Sequence, residues 1–192
     1  MPEQNERANP SLDDLVINVN TAKEQTIHHG EHWGGSYRPL TKTRAFGGAR
    51  LGVNQCTLPP GRATVPFHFH QREDEAFFVL HGRGVLRYGE ELREVGPGDC
   101  ISCPAGTQTG HQLANPFEDE LVYLAIGNHD PEEVCVYPDT GKVMVRPLQR
   151  VGYLSDTEYF AAEDDVPATL ARWNEGEDAT LDVTPAKLKG PE

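Results

Sequence analysis

The sequence predicts an all-β protein built from antiparallel strands. After residue 42, short runs rich in β-branched and aromatic residues follow one another, and no segment with a helical apolar period separates them. Many short strands without intervening helices favour an antiparallel sandwich or barrel, and their number fits a jelly roll. The predicted strands cover residues 50–58, 65–70, 75–80, 84–88, 91–95, 100–103, 110–114, 120–126, 134–136 and 142–145.

Clusters of turn-forming residues mark the ends of these runs. Pro59-Pro60-Gly61 ends the first run, Gly96-Pro97-Gly98 separates the fifth from the sixth, and Asp139-Thr140-Gly141 separates the last two. Proline presets its own φ and has no N–H to donate, while glycine adopts the left-handed conformations that tight turns require. The boundaries therefore have a physical basis besides the apolar pattern.

A chain of 192 residues is long enough for one well-buried domain with extensions, and not for two. We expect an N-terminal arm over residues 1–40, a barrel over 41–147 and a C-terminal extension over 148–192. The arm contains a predicted short strand at 15–19. The extension contains a last strand or arm at 146–154, a short helix at 167–173, and an acidic, proline-containing tail that we expect to be disordered from about residue 174.

Charge and hydropathy narrow the function classes. Thirty acidic against seventeen basic residues give a formal charge of −13, which disfavours binding to nucleic acid. The sequence has no apolar run of 18 residues and no basic-then-apolar amino terminus, so we expect neither a membrane span nor a secretory signal. These observations predict a cytoplasmic protein.

The cysteines agree with a reducing compartment. Four of them occur without an export signal, at positions 56, 100, 103 and 135. Cys100 and Cys103 have the spacing of a zinc ligand pair, but residues three apart on a strand point to opposite faces, and no second such pair is present. We therefore interpret the cysteines as core thiols.

The strongest chemical signal is the pair His68 and His70. On a strand, side chains at i and i+2 share one face and lie roughly 6.6 Å apart along the chain, so two imidazoles can converge on one cation. Glu75 begins the next predicted strand and can supply an oxygen ligand beside them. Further along, a strand, a Pro-Ala-Gly turn and a second strand bring His111 back toward the pair.

Together these stretches resemble the two sequence motifs of the cupin superfamily. The first motif is Gly, a spacer, His-x-His, four residues, Glu, six residues and Gly, and the second is Gly, five residues, Pro-x-Gly, two residues, His, three residues and Asn. The first is matched by His68, His70, Glu75 and Gly82, and the second by Gly98, Pro104, Gly106 and Asn115.

Two departures from these motifs are visible. Gly61 lies one residue further from His68 than in the motif, and His111 follows Gly106 two residues later than the motif histidine. Thr109 occupies the usual histidine position, and threonine is a poor substitute ligand. A two-residue insertion preserves strand parity, so His111 is expected to point to the same side. The intact spacing from His111 to Asn115 favours a longer turn over a lost ligand.

The resemblance implies a jelly-roll β-barrel with His68, His70, Glu75 and His111 as ligands of a divalent metal in its interior. Three imidazoles and one carboxylate suit iron, manganese, nickel, cobalt, copper or zinc, and they leave coordination positions open for a small-molecule ligand. The alternative is that these side chains are a polar barrel lining without metal.

Two classes of function fit such a site. The first is a metal-dependent oxygenase, isomerase or lyase acting on a small oxygenated molecule. The second is a non-catalytic binding or sensor module. No catalytic residue is assigned: Arg50, Gln108, Gln112 and Tyr123 are polar residues that could reach a ligand if they line the mouth of the barrel, but strand alternation places only some of them inward, and Gln112, next to His111, is expected to face away. The string 133–142 additionally resembles a group of small bacterial cupins.

Two further expectations concern the surface. If His68 and His70 face inward, strand alternation turns an apolar set outward, formed by Val65, Phe67, Phe69, Phe78 and Leu80. We expect the N-terminal arm or a second subunit to cover this patch, and we predict a homodimer. A second histidine group, His28, His29 and His32, has partial metal-ligand spacing, but the glycines around it favour an exposed connector.

Overall fold

The computed structural model describes residues 11–42, 51–161, 163 and 166–175. Helix α1 covers Leu12–Leu15 and helix α2 covers Ala168–Glu175, and a 3-10 turn covers Arg146–Leu148. The strands are β1 (Gln25–His29), β2 (Trp33–Pro39), β3 (Leu51–Leu58), β4 (Arg62–Ala63), β5 (Phe69–His70), β6 (Glu75–His81), β7 (Gly84–Tyr88), β8 (Glu91–Val95), β9 (Cys100–Cys103), β10 (His111–Asn115), β11 (Leu121–Asn128), β12 (Val134–Tyr137), β13 (Lys142–Val145) and β14 (Arg150–Tyr153).

The described strands form two sheets, as the predicted jelly roll requires. The larger sheet has the order β8-β7-β10-β4-β2-β3-β11-β6-β9, with β1 paired to β2, and the smaller has the order β14-β13-β12-β5. The neighbouring strands pair antiparallel, except for the parallel pair β2–β4. An isolated antiparallel bridge between His68 and His111 joins the two sheets. The prediction of an all-β jelly-roll fold is confirmed.

The buried core lies between the curled halves of the larger sheet. Leu58, Val79 and Leu121 are fully buried, on β3, β6 and β11. On β6 the burial alternates: Phe77 and Val79 are buried, whereas Phe78 and Leu80 are exposed. This is the alternation that period-2 patterning predicts for a strand with one face in the core.

The chain before residue 41 contributes more than an arm. Strand β2 pairs with β3 along Ser36–Pro39, and β1 folds back on β2 as a hairpin. Gly34 has a φ of 108°, and a Cβ added there would lie 1.9 Å from the carbonyl oxygen of Ile27. Gly34, one of the glycines that give this segment the appearance of a connector, therefore allows the hairpin backbones to approach so closely.

The predicted strand at 15–19 is wrong. Residues 12–15 form helix α1, whose capping box joins Ser11 to Asp14: both the backbone N–H and the hydroxyl of Ser11 donate to the Asp14 carboxylate. A Ser followed three residues later by an acidic residue is a helix-start signal. The helix ends at Leu15, and residues 16–18 that follow it belong to no strand.

Of the predicted strand at 65–70, only Phe69–His70 forms a strand, and the prediction that Phe67 points outward is wrong. Pro66 cannot donate a ladder hydrogen bond, and residues 64–67 bend instead of continuing the strand. Strand alternation therefore does not reach Phe67, which is only 5% exposed and not part of an outward patch. Its ring lies beneath the guanidinium of Arg87, 3.6 Å from the ring centroid. Of the proposed patch, Val65, Phe78 and Leu80 remain exposed and Phe69 is half-buried.

The described residues beyond 154 belong to a second compact unit. Its helix, α2, falls where a short helix is predicted, and the tail beyond residue 175 lies outside the described residues. Before it, β14 pairs with β13, which makes residues 150–153 the predicted last strand. Neither described helix is long and apolar enough to cross a membrane.

The four cysteines are free thiols. Cys100 and Cys103 point to opposite faces of β9, as predicted, because Cys100 is exposed and Cys103 is buried. The interpretation as core thiols therefore holds for Cys56, Cys103 and Cys135 but not for Cys100.

A first prediction concerns Gly110, the residue before His111. A Cβ at Gly110 would lie 2.5 Å from the ring of buried Phe67, so G110A forces the ring or the backbone to move. We expect a loss of about 1–3 kcal/mol in the free energy of unfolding, measured by urea denaturation. G96A is the matched control because nothing lies within 4 Å of its added Cβ. Equal stability of the two variants would contradict the packing described here.

The homodimer stays a prediction, now based on the smaller patch. We expect light scattering at micromolar concentration to give twice the 21.2 kDa chain mass. F78E should shift the protein toward monomer, because it places a charge in the patch. The control is L92E, at a leucine that is 71% exposed on β8. A monomeric mass for the wild type would remove the dimer.

Candidate metal centre

Four side chains named by the sequence pattern meet at one point between the two sheets. His68 lies just before β5, His70 ends β5, Glu75 begins β6 and His111 begins β10. The imidazoles of His68 and His70 have ring centroids 4.9 Å apart, so the two residues do share a face. The His111 ring centroid is 4.5 Å from that of His68.

The distances suit a single ion. Glu75 Oε2 lies 2.9 Å from His111 Nε2, 3.4 Å from His70 Nε2 and 3.8 Å from His68 Nε2. One ligand atom from each of the four residues lies within 4.8 Å of all the others. Two ligands on opposite sides of one ion, each roughly 2.1 Å from it, are about 4.2 Å apart. Small side-chain rotations would therefore bring all four ligand atoms into coordination range.

His111 reaches the site despite its displaced position in the sequence. The turn before it is longer, and Gln108 within this turn adopts a left-handed φ of 58°, which is uncommon for a residue other than glycine. Thr109, at the usual histidine spacing, is half-buried in the turn, and its hydroxyl donates to the carbonyl of Thr107. The structure thus brings His111, and not Thr109, to the other three residues.

His68 has a lone pair to offer on Nε2. Its Nδ1 lies 2.8 Å from the carbonyl oxygen of Pro66, and since a carbonyl only accepts, Nδ1 carries the hydrogen. Burial lowers the pKa of His68 to about 4, and the neighbouring His111 contributes in the same direction. His68 is therefore a neutral imidazole at physiological pH, the form that binds metals.

His70 provides the clearest indication of a missing partner. Its Nδ1 lies 3.1 Å from Glu133 Oε1, so one side of the ring is satisfied. Its Nε2 is buried, faces the cluster and has no hydrogen-bond partner among the described residues. A buried polar atom without a partner costs about 1–3 kcal/mol, and a cation bound there would offset that cost.

Glu75 is the anionic member of the set. Burial on its own would raise the pKa of the Glu75 carboxyl, but the hydrogen bond from His111 and the charge interactions with the His70 and His111 imidazoles outweigh it and hold the pKa well below its usual range. Glu75 is therefore an ionised carboxylate at neutral pH. A metal ion would replace the hydrogen bond between His111 Nε2 and Glu75, because a ring nitrogen that carries a hydrogen has no lone pair with which to bind a metal.

A second cluster, formed by His70, Glu73 and Glu133, lies next to the first. Arg146 already occupies it: its guanidinium forms a two-pronged ion pair with Glu73, in which Nη2 lies 2.9 Å from Oε2 and Nη1 contacts Oε1. Glu73 Oε1 also accepts the backbone N–H of Asp130, at 2.7 Å. The guanidinium of Arg146 supplies the positive charge that a metal ion would otherwise provide.

Two cavities adjoin the four residues. One of about 330 Å³ is lined by all four of them, together with buried residues such as Phe77 and Tyr123. A larger one of about 610 Å³ is lined by Glu75 and by polar side chains that include Asn54, Asn128 and Lys42. Both volumes are within the usual range for small-molecule sites. The residues that line both cavities are Tyr37, Glu73, Glu75, Ala125 and Arg146.

The other polar residues suggested by the sequence lie in different surroundings. Tyr123 lies in the core, where its hydroxyl is 3.4 Å from that of Thr64, and burial raises its pKa far above the usual range. Gln112 donates to the carbonyl of Val65. Gln108 is exposed in its turn, and Arg50 lies outside the described residues.

The second histidine group forms no metal site among the described residues, because no set of three potential ligands meets there. His28 and His29 belong to β1, and His28 Nδ1 lies 2.8 Å from an Arg62 nitrogen. His32 lies in the hairpin turn, with Nδ1 3.1 Å from the carbonyl oxygen of Gly61. Two of the three histidines therefore lie on an exposed strand, and not in the predicted connector.

Sequence reasoning missed the polar residues behind the cluster: Glu73, Glu133 and Arg146. Glu133 lies 63 residues from His70, and Arg146 lies 73 residues from Glu73. The signal available for Glu133 was a glutamate directly before a strand of mostly apolar residues, Val134–Tyr137. That signal does not identify its partner.

Comparison with known proteins agrees with this geometry. Residues 54–127 match the family model of the cupin domain, a segment that runs from β3 to β11 and contains all four clustered residues. An uncharacterized protein of Methanocaldococcus jannaschii is 29% identical over 82 residues, which are 43% of this chain and 63% of that protein. The matching region thus spans less than two thirds of that relative.

Several solved structures share the fold. A putative sugar phosphate isomerase of Acidithiobacillus ferrooxidans has a TM-score of 0.64 at 21% identity, covering 77% of this chain and 100% of that chain. A predicted oxalate decarboxylase of Thermotoga maritima has a TM-score of 0.53 at 21% identity, covering 60% and 99%. A sugar phosphate isomerase of the cupin superfamily from Silicibacter pomeroyi has a TM-score of 0.56 at 26% identity, covering 66% and 83%.

The metal-binding role of His111 can be tested against the residue at the usual spacing. We expect H111A to lose most stoichiometric metal, because it removes an imidazole that lies 2.9 Å from Glu75. T109A should bind as the wild type does, since Thr109 bonds within its own turn. The measurement is elemental analysis after reconstitution and desalting. Metal loss in T109A and not in H111A would reverse the assignment.

Proposed function

Residues 54–127 form a cupin domain, and we propose that this domain is a metal-dependent enzyme that isomerises a small polyhydroxylated carbonyl compound. The ligands of the metal are His68, His70, Glu75 and His111. The observation that carries the proposal is the buried Nε2 of His70, which faces three other potential ligands and has no hydrogen-bond partner among the described residues.

The donor set indicates a class of metal and not a single element. Three imidazole nitrogens and one carboxylate oxygen suit divalent iron, manganese, nickel, cobalt, copper or zinc. Four protein ligands leave one or two positions for a substrate oxygen on an ion of five or six ligands. Bound by these residues, such an ion would act as a Lewis acid that polarises a substrate carbonyl.

The surroundings favour a substrate with several oxygen atoms. The larger cavity, about 610 Å³, is lined by carboxamides and hydroxyls, among them Gln25, Asn54, Asn128 and Thr41. Such side chains both donate and accept hydrogen bonds, as the hydroxyls of a sugar do. The smaller cavity has apolar walls at Phe77 and Leu113, which reduce the access of water to the ligands.

The chain's own titratable groups have restricted roles in this scheme. Tyr123 keeps its proton at physiological pH because burial raises its pKa, so it can donate a hydrogen bond but does not act as a base. Glu73 is held by Arg146 and by a backbone N–H, so it is not available to take a proton from a substrate. The acid–base groups of the reaction are therefore not among these buried residues.

The choice of isomerisation over the other reactions of the first class rests on one relative. The Silicibacter pomeroyi protein, at 26% identity over 66% of this chain, is named a sugar phosphate isomerase. The neighbours at 21% identity support the fold alone. An oxygenase, a lyase and a non-catalytic sensor remain the competing outcomes of the experiment below.

We also propose a cytoplasmic location. All four cysteines are free thiols in the structure, and burial raises the pKa values of Cys103 and Cys135 to about 12. Thiols that stay reduced and unreactive are typical of a reducing compartment.

The experiment is a reconstitution with each candidate metal, followed by incubation with aldoses, ketoses and their phosphate esters. NMR should detect aldose–ketose interconversion that depends on metal and is lost in H70A. An oxygen electrode runs in parallel on the same samples. Oxygen consumption without isomer formation would indicate an oxygenase instead of an isomerase. Ligand binding without turnover would favour the sensor module. A wild type that takes up no metal would end the proposal.

A further inference from the structure

A buried glutamate outside the four clustered residues contacts one of them directly. Glu133, immediately before β12, is 0% exposed. Its Oε1 lies 3.1 Å from His70 Nδ1 and accepts the backbone N–H of Gln71 at 3.0 Å. Its Oε2 accepts the backbone N–H of Arg72 at 2.9 Å. All three contacts reach the short segment of residues 70–72, which leads from the second histidine toward Glu75.

This burial is energetically unusual and needs an explanation. Moving a carboxylate out of water costs several kcal/mol even after relaxation, so buried carboxylates occur where specific donors compensate. Glu133 makes no ion pair with Lys or Arg among the described residues, and its compensation comes from two backbone N–H groups and one imidazole. An apolar residue at 133 would avoid the cost but leave all three donors without an acceptor.

We propose that Glu133 is the positioning residue of the metal centre. Its carboxylate holds the hydrogen of His70 on Nδ1 and fixes the orientation of the ring. His70 Nε2 then points toward Glu75 and can bind the metal. The inference rests on the proposed metal site. A metal-ligating histidine ordinarily donates its second N–H to a carboxylate or carbonyl, which fixes the tautomer and strengthens the ligand. Here the arrangement is complete on the protein side, because Nδ1 is satisfied and Nε2 is not.

A neighbouring carboxylate does not take this role. Glu73 Oε2 lies 3.7 Å from His70 Nδ1, beyond hydrogen-bond distance. Both Glu73 oxygens are bonded to the Arg146 guanidinium, and Oε1 also accepts the Asp130 N–H. The Arg146–Glu73 pair therefore leaves Glu133 as the acceptor for His70.

The strand that follows Glu133 extends the same support. Cys135 is the cross-strand partner of His70, and the Tyr137 ring centroid lies 6.0 Å from that of His68. Alternate residues of one segment, 133, 135 and 137, thus face the two histidines of the His-x-His pair. The string 133–142, which stood out in the sequence, thereby acquires a structural role beside the site.

The test replaces Glu133 by glutamine and its exposed neighbour Glu132 by glutamine as the matched control. Both Glu133 oxygens accept hydrogen bonds. In E133Q the amide NH₂ takes the place of one oxygen, so this donor faces either the Arg72 N–H or the donors of His70 and Gln71. We expect metal affinity, measured by competition with a chromophoric chelator, to fall by about 10–100-fold in E133Q. E132Q should keep the wild-type affinity.

A second measurement separates positioning from a general loss of stability. In the metal-free protein, the ¹⁵N resonances of the His70 ring report which nitrogen carries the hydrogen and whether it is hydrogen-bonded. We expect a strongly bonded Nδ1–H in the wild type and in E132Q, and its loss in E133Q. If E133Q does not fold, E133D keeps the charge but shortens the side chain, and its metal affinity should fall between those of wild type and H70A.

The outcomes are distinguishable from a failure of the proposed function. A wild type that binds no metal removes the metal centre itself. A wild type that binds metal, together with E133Q of unchanged affinity and an unchanged His70 signal, overturns the positioning role alone. An E133Q protein that is less stable but has unchanged affinity and His70 resonances would make Glu133 a structural residue, which also overturns it.

Discussion

The site depends on one pair of backbone hydrogen bonds between the two sheets. His68 N–H donates to His111 O at 3.2 Å, and His111 N–H donates to His68 O at 2.7 Å. This bridge fixes two candidate ligands from opposite sheets at the distance of a directly paired residue. His70 then follows from the period of the strand, and Glu75 from the short connection to β6. The bridge therefore sets the register between the larger and smaller sheets at the candidate metal centre.

The two nitrogens of the His70 ring face two different carboxylates. On its Nε2 side, Glu75 has the partly open position of a ligand, beside the cavity of about 330 Å³. On its Nδ1 side, Glu133 is fully buried and shared with two backbone N–H groups. We thus assign two roles to the same residue type in the proposed site, because the number and kind of donors differ around each carboxylate. The Arg146–Glu73 pair keeps a third carboxylate from competing.

Local periodicity accounts for what the sequence could predict. The strands around the core, the convergence of His68 with His70 and the side on which His111 appears all follow from period-2 alternation, which needs only neighbours in the chain. Phe67 was predicted on the wrong face because Pro66 interrupts the strand, so alternation does not apply there. The β1–β2 hairpin was missed because Gly34 and Gly35 are poor strand formers whose value lies in close backbone approach. Glu133 could not be paired with His70 across 63 residues without the fold.

In the proposed site, three imidazoles and one carboxylate bind a single ion. X-ray absorption at the metal edge of the reconstituted protein tests it most directly, because the fine structure counts imidazole ligands and separates sulfur from nitrogen and oxygen. We expect three imidazoles at about 2.0–2.2 Å, oxygen ligands that complete the shell, and no sulfur. A shell with sulfur, or with fewer than three imidazoles, would show that the ion is not bound by these four residues.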